Sequence, residues 1–176
     1  MKISASKSTV VIPSIEKDRG VVEFELINGV LLFKEKPYSG IVNEFYSEGS
    51  IKTKSEYYQG KRLGFYNGWY VNGNKRFERF YTNGLKSQIH RGWYLNGNQM
   101  FEYYFNKIGL YDGSVKDWHE HGTIAKHFNF VDGVEDGSQK MWSLSGKTTA
   151  NFYTVNRDRH GLIGLKQCVS VVHKNE

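Results

Sequence analysis

The feature that most constrains this chain is one short pattern that recurs five times along its 176 residues. Each copy has a glycine, an aromatic slot six residues later, and a second glycine three residues after that. The copies begin at Gly40, Gly64, Gln88, Gly113 and Gly137, so the steps are 24, 24, 25 and 24 residues. A constant period in this range is the signature of a repeat architecture. It also disfavours an enzyme, because repeats supply extended surface more often than a single reactive pocket.

Each unit contains two strand-like segments separated by glycine turns. In the second unit, residues 65–71 and 75–82 read as strands, and Asn72-Gly73 and Asn83-Gly84 read as the turns that follow them. Asn-Gly favours a two-residue type I′ turn, in which both residues have positive φ. The single 25-residue step indicates one inserted residue at or just before Ile108-Gly109. The sequence therefore predicts an all-β fold, a meander of antiparallel hairpins that forms one elongated, twisted sheet.

Equivalent positions of successive units form columns of aromatic residues. Such positions lie two strands apart, roughly 10 Å, so residues of the intervening strand must fill the gap between the rings. One column is apolar in all five units, and we expect it to be the buried structural ladder: Phe45, Trp69, Trp93, Trp118 and Trp142. The next column becomes polar along the array, and we expect it at a partly exposed edge: Tyr46, Tyr70, Tyr94, His119 and Ser143. A third column runs Tyr57, Tyr81, Phe105, Phe130 and Thr154.

The flanking segments suggest a cap at each end of the array. We expect a loosely ordered lead-in over residues 1–19, a capping hairpin over 20–39, the array over 40–157 and a capping strand over 158–176. The single Cys168 cannot form an internal disulfide, so packing must stabilise the fold. The chain shows no secretory signal pattern and no apolar run of membrane-spanning length, which favours a cytoplasmic location.

Residues that could carry chemistry have simpler structural explanations. His119, His121 and His127 invite a metal interpretation, but the first fills a tyrosine slot and the second a turn slot of the repeat. Cys168 with His160 or His173 could form a nucleophile and its base. Cys168 lies in an apolar segment, however, where a buried structural cysteine is common. We therefore expect no catalytic residue, no metal and no cofactor.

The units resemble MORN repeats, in the bacterial variant whose units join spaced aromatics, Tyr-x-Asn-Gly and a lysine-bearing strand. The segments Tyr70-Val71-Asn72-Gly73-Asn74-Lys75 and Tyr94-Leu95-Asn96-Gly97 carry the resemblance best, and it covers residues 38–155. Gln88, His119 and Ser143 depart from the pattern. The resemblance implies an antitoxin of the YwqK family, which would bind and neutralise a toxin protein. MORN arrays are also associated with membranes and scaffolding.

The leading functional hypothesis is a non-catalytic protein-interaction module, which in the antitoxin case would act by steric binding. Tyr, Trp and Arg are enriched among interface anchors, which selects the candidate contacts Tyr46, Tyr70, Tyr94, Lys75, Arg76, Arg79 and Arg91. Residues 40–110 carry 10 Lys and Arg against 5 Asp and Glu, so an acidic partner is expected. The alternatives are an acidic lipid surface and a purely structural scaffold. Nucleic acid is disfavoured, since no recognised module is present. Open sheet edges could also allow self-association.

Overall fold

A computed structural model describes residues 10–164, and all regular structure in that range is β-strand. The strands are β1 (Glu16–Asp18), β2 (Phe24–Ile27), β3 (Val30–Phe33), β4 (Lys36–Pro37), β5 (Gly40–Phe45), β6 (Ile51–Tyr58), β7 (Lys61–Trp69), β8 (Lys75–Thr82), β9 (Leu85–Trp93), β10 (Gln99–Phe105), β11 (Tyr111–Trp118), β12 (Ile124–Val131), β13 (Val134–Glu135), β14 (Gly137–Trp142), β15 (Thr148–Val155) and β16 (Asp158–Leu162).

The strands form one large sheet and one small one. The large sheet has 13 strands, and from β5 to β12 each strand pairs antiparallel with the next in the chain. β14, β15 and β16 continue the order, β13 pairs with β12, and β1 adds to the opposite edge as a parallel neighbour of β5. The small sheet has the order β2-β3-β4. The all-β meander of antiparallel hairpins predicted from the repeat is confirmed.

Two kinds of turn alternate along the array, one at each end of the strands. At one end, Gln59-Gly60, Asn83-Gly84 and Asp132-Gly133 have positive φ at both residues, as a type I′ turn requires. At the other end, Gly73 has φ of 84° but Asn72 does not have positive φ. There the Gly73 amide donates to the Tyr70 carbonyl and the Tyr70 amide donates to the Asn74 carbonyl. This is a type I turn followed by a glycine bulge, so the type I′ prediction is wrong for Asn72-Gly73.

The inserted residue lies in a turn. Between β10 and β11 the Gly109 amide donates to the Asn106 carbonyl, and the Asn106 amide donates to the Leu110 carbonyl. The longer bulged turn therefore stands where the neighbouring units use a two-residue turn. The Asn106 side chain caps it by accepting from the Ile108 and Leu110 amides at 3.1 and 3.0 Å. The insertion changes the turn and preserves the strand order.

The aromatic column that is buried is a different one from the column expected. Phe45 is 45% exposed and the four tryptophans are half-buried, whereas Tyr57, Tyr81 and Phe105 are buried. The tryptophans stand at the ends of their strands, where the pairing register shifts beside each bulged turn. At a strand end, other residues of the protein cover each tryptophan ring on one side only, so part of the ring stays exposed. The prediction of a buried Phe/Trp ladder is therefore wrong.

The buried face of the large sheet is covered mainly by its own rings, which we call the ring row. Centroid distances are 6.4 Å for Tyr66–Tyr81, 5.3 Å for Tyr81–His90, 4.6 Å for His90–Phe105, 4.9 Å for Phe105–Tyr111 and 5.3 Å for Tyr111–Phe130. Rings of intervening strands thus fill the gaps between column members, as the two-strand spacing predicts. Aromatic pairs at these distances stabilise a fold beyond the area that they bury.

The small sheet caps the ring row at its first unit. Phe24, Leu31 and Tyr38 from this segment form the apolar core together with Val42 and Tyr57 of the large sheet. The segment expected to be a lead-in contains β1, whose register pairs Glu16 with Ile41. Asp158–Leu162 forms β16 in the segment expected to be a C-terminal capping strand. Residues 1–9 and 165–176, including Cys168 and His173, lie outside the described residues.

Two strand glycines make room for rings of the neighbouring strand. Gly68 pairs with Phe77, and Gly92 pairs with Phe101. A Cβ atom at either glycine would overlap the partner's ring. Each ring therefore lies directly over a glycine, where it covers bare backbone. An isolated glycine inside a strand pattern is the sequence signal for such a close approach.

Replacing Gly92 by alanine should therefore destabilise the fold. We expect Gly92→Ala to lower the free energy of unfolding by about 1–3 kcal/mol, because the new methyl must displace the Phe101 ring. Urea unfolding followed by tryptophan fluorescence measures the change. Gly164→Ala is the control, since open space surrounds that position. Equal stability of the two variants would contradict the packing described for Gly92.

Candidate functional site

The face opposite the ring row carries a continuous polar row, one residue from each of ten adjacent strands. Direct cross-strand pairing links every member to the next. The row consists of Asn43, Lys54, Asn67, Glu78, Arg91, Glu102, Lys116, His127, Lys140 and Asn151. Because successive side chains of a strand point to opposite faces, the ring row and the polar row are on opposite sides of the sheet. We call this second side the polar face.

The tryptophan ladder lies on the polar face, beside the polar row. Each ladder residue (Phe45, Trp69, Trp93, Trp118 and Trp142) stands two positions after a member of that row, which places both on the same side of the strand. A side-chain contact agrees: Lys75 pairs with Glu78 of the polar row and lies 5.8 Å from the Trp93 ring centroid. The ladder is half-exposed, and the small capping sheet packs on the other face.

A second apolar strip borders the polar row on its other side. Phe65 stands two positions before Asn67, and Phe80 two positions after Glu78. Their rings meet edge to face at 5.1 Å, and Phe65 is 47% exposed. At Asn67 and Glu78 the polar row therefore has aromatic rings on both sides. Aromatic and arginine side chains are residue types that are enriched at protein interfaces.

The turn tyrosines predicted as partner contacts have an internal role. Tyr46 Oη donates to the Trp69 carbonyl at 2.9 Å, Tyr70 Oη to the Trp93 carbonyl at 2.8 Å, and Tyr94 Oη to the Trp118 carbonyl at 2.8 Å. In the fourth unit His119 Nε2 lies 3.1 Å from the Trp142 carbonyl oxygen, so histidine replaces tyrosine in the same hydrogen bond. Each bond ties a turn to the strand end of the next unit.

The four predicted cationic contacts do not form one surface. Lys75 and Arg91 are on the polar face, where Arg91 Nε donates to Glu102 at 2.8 Å. Arg79 is on the ring face, with its guanidinium 4.6 Å from the Phe77 ring centroid. Arg76 is exposed near the turn, 5.8 Å from the Tyr70 ring centroid. Because successive side chains of a strand point to opposite faces, Arg79 and its neighbour Glu78 are on different sides of the sheet. The composition of the segment could not show this division of the cations between two faces.

Among the cations of the polar row, those that lack an ion pair lie in its second half. Lys54 pairs with Glu16, Lys75 with Glu78, and Arg91 with Glu102. Within residues 10–164, neither Lys116 nor Lys140 forms an ion pair. His127 stands between them. The pKa of its imidazole is lowered, mainly by burial and to a smaller extent by the positive charges of these two lysines. Within the polar row, the lysines without an ion pair thus lie beyond the 40–110 segment, in which the sequence showed the largest excess of positive charge.

A buried histidine in the ring row was not identified from the sequence. His90 is 3% exposed, its ring lies between Tyr81 and Phe105, and its Nε2 is 2.8 Å from the Phe80 carbonyl oxygen. Burial lowers the pKa of His90 to about 4. The sequence did contain a signal for this burial. His90 is on the strand between those of Tyr81 and Phe105, and that strand must supply a ring-sized side chain to fill the gap between them.

The two irregularities of the repeat meet in one open groove of about 730 Å³. Gln88 has φ of 59° where the other units have glycine, and such a conformation costs a residue with a side chain about 1 kcal/mol. The inserted turn provides the facing wall, where Asn106 Nδ2 donates to Asp132 Oδ1 at 2.8 Å. In the same groove, the hydroxyl oxygens of Thr82 and Ser87 are hydrogen-bonded to each other at 2.9 Å.

The histidine cluster has separate local partners. The rings of His119 and His121 stack with centroids 5.6 Å apart, and His121 Nε2 lies 2.7 Å from the Thr123 hydroxyl. His127 belongs to the polar row on β12. No group of three or more His, Cys, Asp or Glu residues between positions 10 and 164 is arranged to hold a metal ion.

Comparison with known proteins does not assign this chain to a family. No protein-family model matches it, and no curated protein is significantly similar to it. Over the described part of the chain, no helix has the length and apolar character needed to cross a bilayer.

The turn hydrogen bonds give the first prediction for this region. Tyr70→Phe keeps the ring but removes the hydroxyl that donates to the Trp93 carbonyl. We expect the free energy of unfolding to fall by about 0.5–1.5 kcal/mol, the usual net contribution of such a bond. Chemical denaturation measures the loss, with Tyr153→Phe as the control because that side chain is exposed. A loss no greater than that of the control would show that the bond does not contribute.

The buried His90 predicts a pH dependence of stability. Its pKa is about 4 in the folded protein and near 6.5 when exposed, so the unfolded chain binds the extra proton between these values. Stability from the neutral imidazole is therefore complete above about pH 6.5 and is lost as the pH falls towards 4. We expect a decrease of at most about 3 kcal/mol across that window.

The measurement is denaturant unfolding at a series of pH values. The His90→Gln variant should lose most of the slope between pH 4 and 6.5, even if it is less stable throughout. His160→Gln should keep the slope, because His160 is exposed. An unchanged slope in the His90 variant would assign the pH dependence to other groups.

Proposed function

We propose that this protein is a non-catalytic interaction module that binds a protein partner through the polar face. The observation that supports this most directly is the half-exposed ladder of four tryptophans and a phenylalanine beside the charged row. Tryptophan and arginine are the residues most enriched among binding hot spots, and anchors lie at the centre of an interface. Trp93 and Arg91 are two positions apart at the middle of the row.

The charge of this face favours an acidic partner. Lys116 and Lys140 flank His127 in direct cross-strand register, and no ion pair within residues 10–164 neutralises the two lysines. The two lysines lie two strands apart, about 10 Å, and together give this part of the face a positive potential that acidic groups of a partner would complement. The aromatic anchors would supply affinity, and the lysines would accelerate the encounter.

In the more specific form of the proposal, the protein is an antitoxin of the MORN-repeat type. Steric coverage of a toxin's active cleft would then be its mechanism, and no chemical step would be needed. A sheet whose rows repeat every two strands offers a long, regular contact surface suited to this role. The turn tyrosines would support the surface indirectly, because their hydroxyls fix the tryptophan-bearing strand ends.

The experiment is affinity capture from lysate of the host organism with matched variants of the bait. Wild-type protein and the turn variant Leu144→Ala, which removes an exposed side chain outside the strands, should retain one stoichiometric acidic protein. Trp69→Ala and Trp93→Ala should each weaken that complex by about 2 kcal/mol or more, as anchors do. Lys116→Gln with Lys140→Gln should reduce the association rate and its salt dependence.

Circular dichroism checks that each variant is folded, and each outcome has a distinct meaning. A partner that is toxic when expressed alone, and is neutralised by wild type but not by Trp93→Ala, would support the antitoxin form. A partner held equally by both tryptophan variants would exclude the polar face as its binding site. Salt-sensitive sedimentation with anionic vesicles, and no protein partner, would favour the acidic lipid surface instead.

A further inference from the structure

A semi-enclosed cavity of about 220 Å³ lies between the small capping sheet and the ring face of the first two units. The small capping sheet contributes Leu26 and Leu31, Arg19 follows β1, and the rest of the large sheet contributes the other walls. Those walls carry hydroxyl, carboxylate, guanidinium and phenol groups. The site is on the face opposite the proposed protein interface, so it is independent of that function.

One polar atom of this cavity, Arg62 Nε, is buried without a hydrogen-bond partner, and two hydroxyl-bearing residues beside it are buried. Thr53 is 7% exposed and Ser55 is 4% exposed, and both line the cavity. The Nε atom of Arg62 is shielded from solvent and has no hydrogen-bond acceptor. A buried donor without an acceptor destabilises a fold by about 1–3 kcal/mol, and by more when the group is charged. An acceptor from outside the chain would remove that penalty.

The Arg62 guanidinium is held in place by rings. It lies 4.7 Å from the Tyr66 ring centroid, 5.5 Å from that of Tyr57 and 5.7 Å from that of Tyr81. Within residues 10–164 no carboxylate pairs with it. A guanidinium that stacks on aromatic rings keeps its edge N–H groups free, and this planar fork matches a carboxylate in two parallel hydrogen bonds.

Charge and size narrow the ligand class. Arg19 and Arg62 face one carboxylate, Glu44, so the cavity walls carry one net positive charge, which suits a monoanion. A volume of 220 Å³ holds about seven groups the size of a water molecule, at about 30 Å³ each. Leu26 and Leu31 provide an apolar wall for a short hydrocarbon part, and Thr53 and Ser55 provide hydroxyls for a carboxylate oxygen.

We propose that this cavity is a binding site for a small monocarboxylate of two to four carbons. The carboxylate accepts hydrogen bonds from the Arg62 fork and from the hydroxyls of Thr53 and Ser55. The hydrocarbon part packs against the two leucines. The ligand also joins the small capping sheet to the array, since both leucines belong to that sheet.

Titration of the full chain with sodium formate, acetate, propionate and butyrate tests the proposal. Thermal unfolding and isothermal calorimetry are run at constant ionic strength, with chloride as the reference anion. We expect saturable stabilisation that is strongest for acetate, propionate or butyrate. Arg62→Gln should weaken binding at least tenfold, and Thr53→Val several-fold, because that change keeps the shape and removes the hydroxyl. Glu44→Gln should strengthen it.

Two further variants keep the test decisive. Arg76→Gln is the matched control, because Arg76 also lies over a tyrosine ring but is outside the cavity. Arg62→Lys keeps the charge without the planar fork, so it should fold and still bind at least several-fold more weakly. A cavity that contains only water would give no saturable effect, which would overturn the proposal. Equal affinity in wild type and in both Arg62 variants would do the same.

Discussion

The hydrogen bond from a turn side chain to the tryptophan carbonyl of the next unit is the interaction on which the regularity of this array depends. It joins positions 23 or 24 residues apart, and it recurs from Tyr46, Tyr70, Tyr94 and His119. Backbone ladders alone tie each strand only to its neighbour. This side-chain bond reaches over the returning strand and sets the spacing between whole units, so a change of period at one turn need not propagate.

A sheet with one small cap must bury apolar area without a second layer, and the ring row shows how this chain does so. Rings from every strand of the middle units fill one face side by side, with His90 completing the line between Tyr81 and Phe105. Gly68 and Gly92 let Phe77 and Phe101 approach the backbone of the neighbouring strand closely. The high aromatic content is therefore a structural requirement of a single-layer sheet, since short aliphatic side chains would leave the backbone of that face exposed to solvent.

The repeat was sufficient to predict the meander, the positions of its turns and the inserted residue, because each depends on local spacing. The burial of the columns was not predictable in the same way. Trp69 is larger and more apolar than Tyr81, yet it is the less buried of the two, since it stands at a strand end beside a bulge. Likewise Asn72-Gly73 and Asn83-Gly84 share a dipeptide but form different turns, which hydrogen bonding by the flanking residues decides.

The same geometry explains why the tryptophans replace the tyrosines as the candidate contact residues. A tyrosine hydroxyl that donates within the array contributes little new to a partner, because binding would have to replace an existing bond. In the tryptophan, the backbone carbonyl accepts the internal hydrogen bond, whereas the indole ring remains half-exposed. One residue thus supports the array through its backbone while its side chain stays half-exposed. The arrangement recurs at Trp69, Trp93, Trp118 and Trp142, so the same bond that orders the array leaves one large apolar side chain half-exposed each time.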